Sequence, residues 1–134
     1  MKNITYTSSL DGVSSSSLEG FFVGWESVPS QETHLKVLQN RDCVVLACDN
    51  DKVVGYVTAI TDKTLSAYIP LLEVLPEYQK QGIGKELVKR ILEVLKEFYM
   101  IDLLCDTDLQ AFYEQFGMKR TQGMCIRNYS KQAE

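Results

Sequence analysis

From Leu71 to Lys85 the chain reads Leu-Leu-Glu-Val-Leu-Pro-Glu-Tyr-Gln-Lys-Gln-Gly-Ile-Gly-Lys. A strand-like apolar run stops at Pro76, and Gly82 and Gly84 stand directly before a segment of helical periodicity. Glycine lacks a Cβ, so ligand oxygens can approach the backbone closely. The first N–H groups of a helix have no intrahelical partner, and the macrodipole adds roughly half a positive charge at that end. Such a turn suits the holding of a phosphate or pyrophosphate. Lys80 and Lys85 can add charge-assisted contacts, although they read equally well as solvated charges at a helix start.

Two common phosphate loops do not fit these residues. A Walker loop needs a glycine where Gln79 stands and a Ser or Thr where Glu86 stands. A dinucleotide fingerprint needs a third glycine after Gly82 and Gly84, and none follows at the required offset. What is present is Gln-x-x-Gly-x-Gly, from Gln79 to Gly84, after a strand ending in Val-x-Pro. This resembles the acetyl-CoA signature of the GNAT superfamily of N-acetyltransferases. Downstream, Ala111-Phe112-Tyr113-Glu114-Gln115-Phe116-Gly117-Met118 is similar to the family's Phe-Tyr-Glu-x-x-Gly-(Phe or Met) segment.

The resemblance implies an α/β fold of the α+β type, with a mixed, mostly antiparallel central sheet flanked by helices. The strands ending at Leu75 and Cys105 should splay apart and admit the pantetheine arm of acetyl-CoA, which would pair with the backbone of Leu72 to Val74 as an added strand. Pyrophosphate would sit on the N–H groups of Gln79, Lys80, Gln81, Gly82, Ile83 and Gly84, with Lys85 close by. The Val74 N–H is the family's usual partner for the thioester carbonyl and would stabilise the oxyanion formed when an amine attacks, an effect of about 3 kcal/mol per donor. Tyr113 holds the place of the acid that protonates the departing thiolate; a phenol, with a reference pKa of ~10, stays protonated at neutral pH. Its plainer reading is a core aromatic at helical spacing with Leu109 and Phe116.

The attacking ammonium must also lose a proton. Glu73 interrupts an apolar run beside Val74 and is a candidate base, although strand alternation points it away from the Leu72 and Val74 face unless a bulge intervenes. A structural ion pair is the competing role, and Asp106 or Asp108 are equal in kind as bases. Many relatives carry Asn where Asp106 stands, which puts one CoA contact in doubt. An acyl-cysteine route through Cys105 lacks a histidine to activate it.

The whole chain narrows the classes further. At 134 residues and 45% hydrophobic composition it fits one domain, residues 1–134, with room for a core. A net charge of −4 argues against a general nucleic-acid binder and suits a cationic substrate. No apolar run reaches the ~18 residues a membrane span needs, and Met1 to Thr5 lack a signal-peptide core, so a cytoplasmic protein without a membrane partner is expected. Cys43, Cys48, Cys105 and Cys125 show no zinc spacing and read as free thiols. No metal is expected, because His34 is the sole histidine, and it reads as an ordinary helix-surface residue.

The elements follow from periodicity. Ser14 to Ser17 can cap a helix through Leu18, Phe21 and Phe22, and Pro29-Ser30 can open another carrying Leu35 and Leu38. Strands are expected at 43–48, 53–60 and 66–75, with Asp49 to Lys52 as a turn. From Gly82 to Tyr99, Ile83, Leu87, Ile91 and Leu95 recur every four residues, predicting an amphipathic helix. A strand over Ile101–Cys105 should lie parallel to the one before Pro76. A short helix from Leu109 to Phe116 and a last strand through Met124-Cys125-Ile126 complete the order.

The expected activity is transfer of an acetyl group from acetyl-CoA to a primary amine of a small molecule, by direct attack in a ternary complex. The alternative is a CoA-binding sensor module that has lost the chemistry. Phe21, Phe22, Trp25 and Tyr68 suggest an acceptor pocket for an amine with an apolar or aromatic body, or else plain packing between the N-terminal segment and the sheet. Oligomeric state is open, a homodimer among the options.

Overall fold

A computed structural model describes residues 3–133. In chain order the elements are β1 (Ile4–Thr7), α1 (Gln31–Gln39), β2 (Cys43–Asp49), β3 (Lys52–Thr61), β4 (Ser66–Tyr68), β5 (Leu72–Val74), α2 (Ile83–Val94), β6 (Met100–Asp102) and α3 (Gln110–Glu114), with short 3-10 turns between some of them. The strands form one mixed six-stranded sheet in the order β1-β2-β3-β4-β6, and β5 pairs with β3 beside β4. All neighbouring pairs are antiparallel except β4 with β6.

β3 is the axis of the molecule. Val53 to Ala59 are all buried, so this run of β-branched and apolar residues is covered on both faces. α2 lies on one face through Ile83, Leu87, Ile91 and Leu95, each of which contributes about 2 kcal/mol by leaving water. Gly55 permits that close approach: a Cβ there would sit 3.2 Å from Leu87 Cδ1. The opposite face carries Tyr56, Phe21 and His34, whose rings meet edge to face. α1 starts where Ser30 Oγ accepts the Thr33 N–H at 3.1 Å.

Several expectations change. The strand expected over 66–75 is two strands, interrupted at Pro70, which cannot donate to a ladder. Its register on β3 slips by one residue across that break: Tyr68 faces Ile60 and Ala67 faces Thr61, whereas Leu72 faces Val57 and Val74 faces Gly55. The parallel partner of β6 is therefore β4, not the strand directly before Pro76. The helix expected through Phe21 and Phe22 ends at Leu18 as a 3-10 turn, because Gly20 (φ 96), Phe22 (φ 63) and Gly24 (φ 86) take left-handed conformations. α2 stops at Val94 rather than Tyr99. The last strand does not form: residues 118–128 carry no regular structure and Met124 is 98% exposed. Three apolar residues give too little alternation to anchor a strand. β1 was not anticipated, since Ile-Thr-Tyr-Thr is too short to show a period.

Candidate active site

The break at Pro70 makes the opening that the site needs. β4 and β6 stay together as far as the Ile69 N–H, which donates to the Asp102 carbonyl at 2.9 Å. Past that rung β5 follows β3 and the chain after Asp102 follows no strand, so the two diverge. Hydrogen bonding decides which way the β5 backbone faces. The Thr58 N–H donates to Leu71 O at 3.1 Å and the Leu75 N–H donates to Val54 O at 2.9 Å, so 58–71 and 54–75 are bonded pairs of the antiparallel ladder. Such pairs alternate, which leaves Leu72 and Val74 as the non-bonded positions opposite Val57 and Gly55. Their N–H and C=O groups point away from β3, into the gap. The Val74 carbonyl is taken by the Gln79 side-chain amide at 2.9 Å, which ties the strand to the turn that follows.

That turn is the glycine segment. Lys80 (φ 62) and Gly82 (φ 86) are both left-handed, which curls the backbone before α2. α2 opens with Glu86 N–H donating to Gly82 O, and no side chain caps it. The N–H groups of its first turn are therefore open to an anion. Lys80 and Lys85 are exposed and make no ion pair among the described residues. A Cβ at Gly84 would lie 3.8 Å from both Val74 Cγ2 and Phe112 Cζ, so the start of α2, β5 and α3 meet at one point.

Tyr113 follows Phe112 on α3, and the two rings pack edge to face at 5.0 Å. Its side chain lines a cleft of about 1000 Å³ together with Cys105, Tyr68 and residues 117–124. Burial, with a smaller push from Cys105, raises the Tyr113 phenol to about 12. Burial also raises the Cys105 thiol, with Asp106 and Asp108 adding to it and Arg120 opposing. Asp106 is exposed, and its carbonyl accepts the Leu109 N–H at 2.9 Å to start the turn into α3. Arg120 is held by Glu114 at 2.9 Å.

Glu73 sits on the other face of β5, opposite Tyr56. Its carboxylate accepts the Phe22 N–H at 2.9 Å and the Val23 N–H at 3.2 Å. Burial, together with the nearby Glu73 carboxylate, pushes the Tyr56 phenol far up. Glu73 thus pins the segment after Gly20 to the strand that carries Val74, and it has no ion-pair partner among the described residues. No group of acidic, cysteine and histidine side chains able to hold a metal occurs among the described residues. No helix among them is long and apolar enough to cross a membrane.

A family model described as the Acetyltransferase (GNAT) family matches residues 10–118. The chain belongs to the GNAT family. It is 40% identical to a candidate acetyltransferase of known structure from Deinococcus radiodurans R1, over 99% of this chain and 97% of that one, with a TM-score of 0.94. A GNAT family protein from Streptococcus pneumoniae TIGR4 is 30% identical over 96% of this chain and 98% of its own, with a TM-score of 0.71. Among curated relatives, GCN5-related N-acetyltransferase 3, chloroplastic, from Arabidopsis thaliana is 38% identical over 79 residues, 58% of this chain. N-alpha-acetyltransferase 30 of Schizosaccharomyces pombe is 32% identical over 84 residues, 56% of this chain. The chain spans 33% of the first of these two and 56% of the second.

In this GNAT chain Gly84 lies close to Val74 and Phe112, and the Gln79 side chain bonds the Val74 carbonyl. The four aromatics of the expected acceptor pocket do not gather. Phe22 and Trp25 pack at 4.7 Å and Phe21 is in the core against Tyr56, but Tyr68 lines the separate cleft beside Tyr113. His34 was misjudged as a surface residue; it is 1% exposed, enclosed by Phe21, Phe22 and Tyr56. Leu38 is buried and Leu35 packs against the core, as their spacing implies, and His34, four before Leu38, lies on the same buried face.

Proposed function

We propose that this chain transfers an acetyl group from acetyl-CoA to the primary amine of a small molecule, by direct attack within a ternary complex. The observation that carries this reading is the outer edge of β5, where Leu72 and Val74 present backbone to a gap that leads to the uncapped start of α2. An extended amide-bearing arm can pair with that edge, and its pyrophosphate can then settle on the amides around Gly82. The donors described are those a pantetheine pyrophosphate needs.

In this mechanism the Val74 N–H, whose own carbonyl is occupied by Gln79, remains free for the thioester oxygen. It stabilises the oxyanion as the amine attacks. Tyr113 donates a hydrogen bond to the departing sulfur and so eases its departure. Glu73, with two backbone donors already on it, suits a fixed charge that draws the ammonium in better than a proton carrier. The ammonium's proton then leaves through water at the open mouth. Asp106, exposed beside Cys105, contacts the outer part of the cofactor rather than the reacting carbon. The open outer edge of β6 and the exposed 118–128 segment also favour a homodimer, in which a second copy covers both.

The test is an acetylation screen over polyamines, arylalkylamines, aminoglycosides, amino acids and peptide N-termini, read as free CoA thiol. Turnover of a small amine supports the proposal. Tight binding of acetyl-CoA with no thiol release from any acceptor would favour a CoA sensor instead.

A further inference from the structure

Gln79 to Gly82, the exposed stretch of the turn before α2, lie between two buried side chains, Tyr78 at 8% exposure and Ile83 at 3%. Ile83 belongs to the apolar face by which α2 sits on the sheet, so packing fixes the far end of the turn. A polar contact fixes the near end. The Tyr78 hydroxyl donates to Asp49 Oδ2 at 2.7 Å, across 29 positions of chain. That bond holds the phenol above its ordinary value, so at neutral pH it stays a donor.

The end of the β2–β3 hairpin places Asp49 for this task. β2 shifts register against β3 between Ala47 and Cys48, after which the ladder closes with Asp49 opposite Lys52. Lys52 reaches the same turn, its Nζ 3.7 Å from Glu77 Oε1 and 5.9 Å from the centre of the Tyr78 ring. An exposed ion pair of this kind contributes little, whereas a part-buried hydrogen bond to a carboxylate is among the stronger ones. Between its two ends the turn has a shape that it would not keep alone. Lys80, with a Cβ, stands at φ 62, a conformation that persists only where the surroundings impose it. The Gln79 N–H donates to the Pro76 carbonyl at 3.2 Å, which joins the latched turn directly to the left-handed residues. β5 has an anchor of its own, the Leu75 N–H on the Val54 carbonyl at 2.9 Å.

Resting on the reading of this turn as the pyrophosphate site, we propose that Asp49 and Tyr78 are positioning residues for acetyl-CoA: the hairpin end holds Tyr78 and thereby presets residues 79–84 to receive the pyrophosphate. Neither side chain touches the cofactor. Both act through the backbone that follows Tyr78, so they govern the phosphate end and leave the arm along β5 to its own anchor.

Tyr78→Phe keeps the ring in the core and removes the donor. Calorimetry should show acetyl-CoA binding about tenfold weaker, the effect of losing one charge-assisted hydrogen bond. Asp49→Ala should match it, and Asp49→Asn, which keeps an acceptor oxygen, should lose less than about threefold. The double variant Tyr78→Phe with Asp49→Ala should be no weaker than either change alone, because both break the same bond. Amide exchange at saturating acetyl-CoA separates positioning from a general loss of structure. In Tyr78→Phe, protection at Leu72 and Val74 should equal that of the wild type, while protection from Gly82 to Lys85 falls. Should Tyr78→Phe fail to fold, Asp49→Ala leaves the buried ring in place and decides by the same two measurements. Affinity within about twofold of wild type in these variants overturns the proposal. So does a loss of protection shared equally by Val74 and the Gly82 to Lys85 amides. Acetyl-CoA bound by the wild type without protection from Gly82 to Lys85 overturns the pyrophosphate reading beneath, and the proposal with it.

Discussion

Tyr113 shows how far one side chain's surroundings change its chemistry. At about 12 the phenol is certain to be protonated at neutral pH, but it is a weaker acid than an exposed tyrosine. Full transfer to a thiolate, with the reference value of a cysteine thiol near ~8.5, would run uphill. The favourable course is a hydrogen bond from the phenol that strengthens as charge builds on sulfur; the thiolate's proton comes from the nitrogen as the tetrahedral adduct collapses, the ammonium's first proton having already left to water. Tyr113→Phe should therefore lower kcat by roughly 10- to 1000-fold and leave acetyl-CoA affinity nearly unchanged, measured by steady-state kinetics and calorimetry. The sign of the pH effect follows from the raised value: the acid form is lost only as pH rises through about 12, so the wild-type profile should show no alkaline fall from Tyr113 below about pH 11. A kcat within twofold of wild type in the variant would make Tyr113 a packing residue.

At the scale of elements, the turn before α2 depends on two left-handed residues, and only one of them is a glycine. A Cβ at Gly82 would meet nothing within 4 Å, so the cost of replacing it is conformational and not steric. A β-branched residue at φ 86 is strained by about 1–2 kcal/mol, and relieving that strain turns the α2 amides away from the phosphate position. Gly82→Val should weaken acetyl-CoA binding at least tenfold by calorimetry. Affinity equal to wild type would remove residues 79–84 as the pyrophosphate site. This segment was readable in the sequence because everything it needs is local: two glycines, a helix period and a preceding strand. The interruption of the strand at 66–75 had a visible signal in Pro70, but the one-residue slip that it introduces depends on pairing with β3, which no local pattern encodes. The stretch through Phe21 and Phe22, expected to continue a helix capped by Ser14 to Ser17, is not helical for the same reason. Its path is fixed by Glu73, some fifty positions further along the chain.

For the molecule as a whole, the proposed reading brings cofactor and acceptor to different sides of one strand. Val74 packs toward α2 and α3, while Glu73 faces Phe22, Val23 and Tyr56. The first side carries motifs, so candidate residues can be named on it from sequence; the second is assembled from positions 18 to 34 by tertiary contacts and shows in the sequence only as a collection of aromatics. A net charge of −4 fits that division, since the acidic surface favours a cationic acceptor while the phosphate is met by oriented amides at one helix end. The central claim is that acetyl-CoA lies along the outer edge of β5 with its pyrophosphate at the start of α2. Amide hydrogen exchange read by NMR, with and without acetyl-CoA, tests it most directly. The account predicts new protection at Leu72, Val74 and the amides from Gly82 to Lys85, and little change at Tyr56, already paired within the sheet. Acetyl-CoA binding that leaves the Val74 and Gly82 to Lys85 amides exchanging as in the free protein would contradict it.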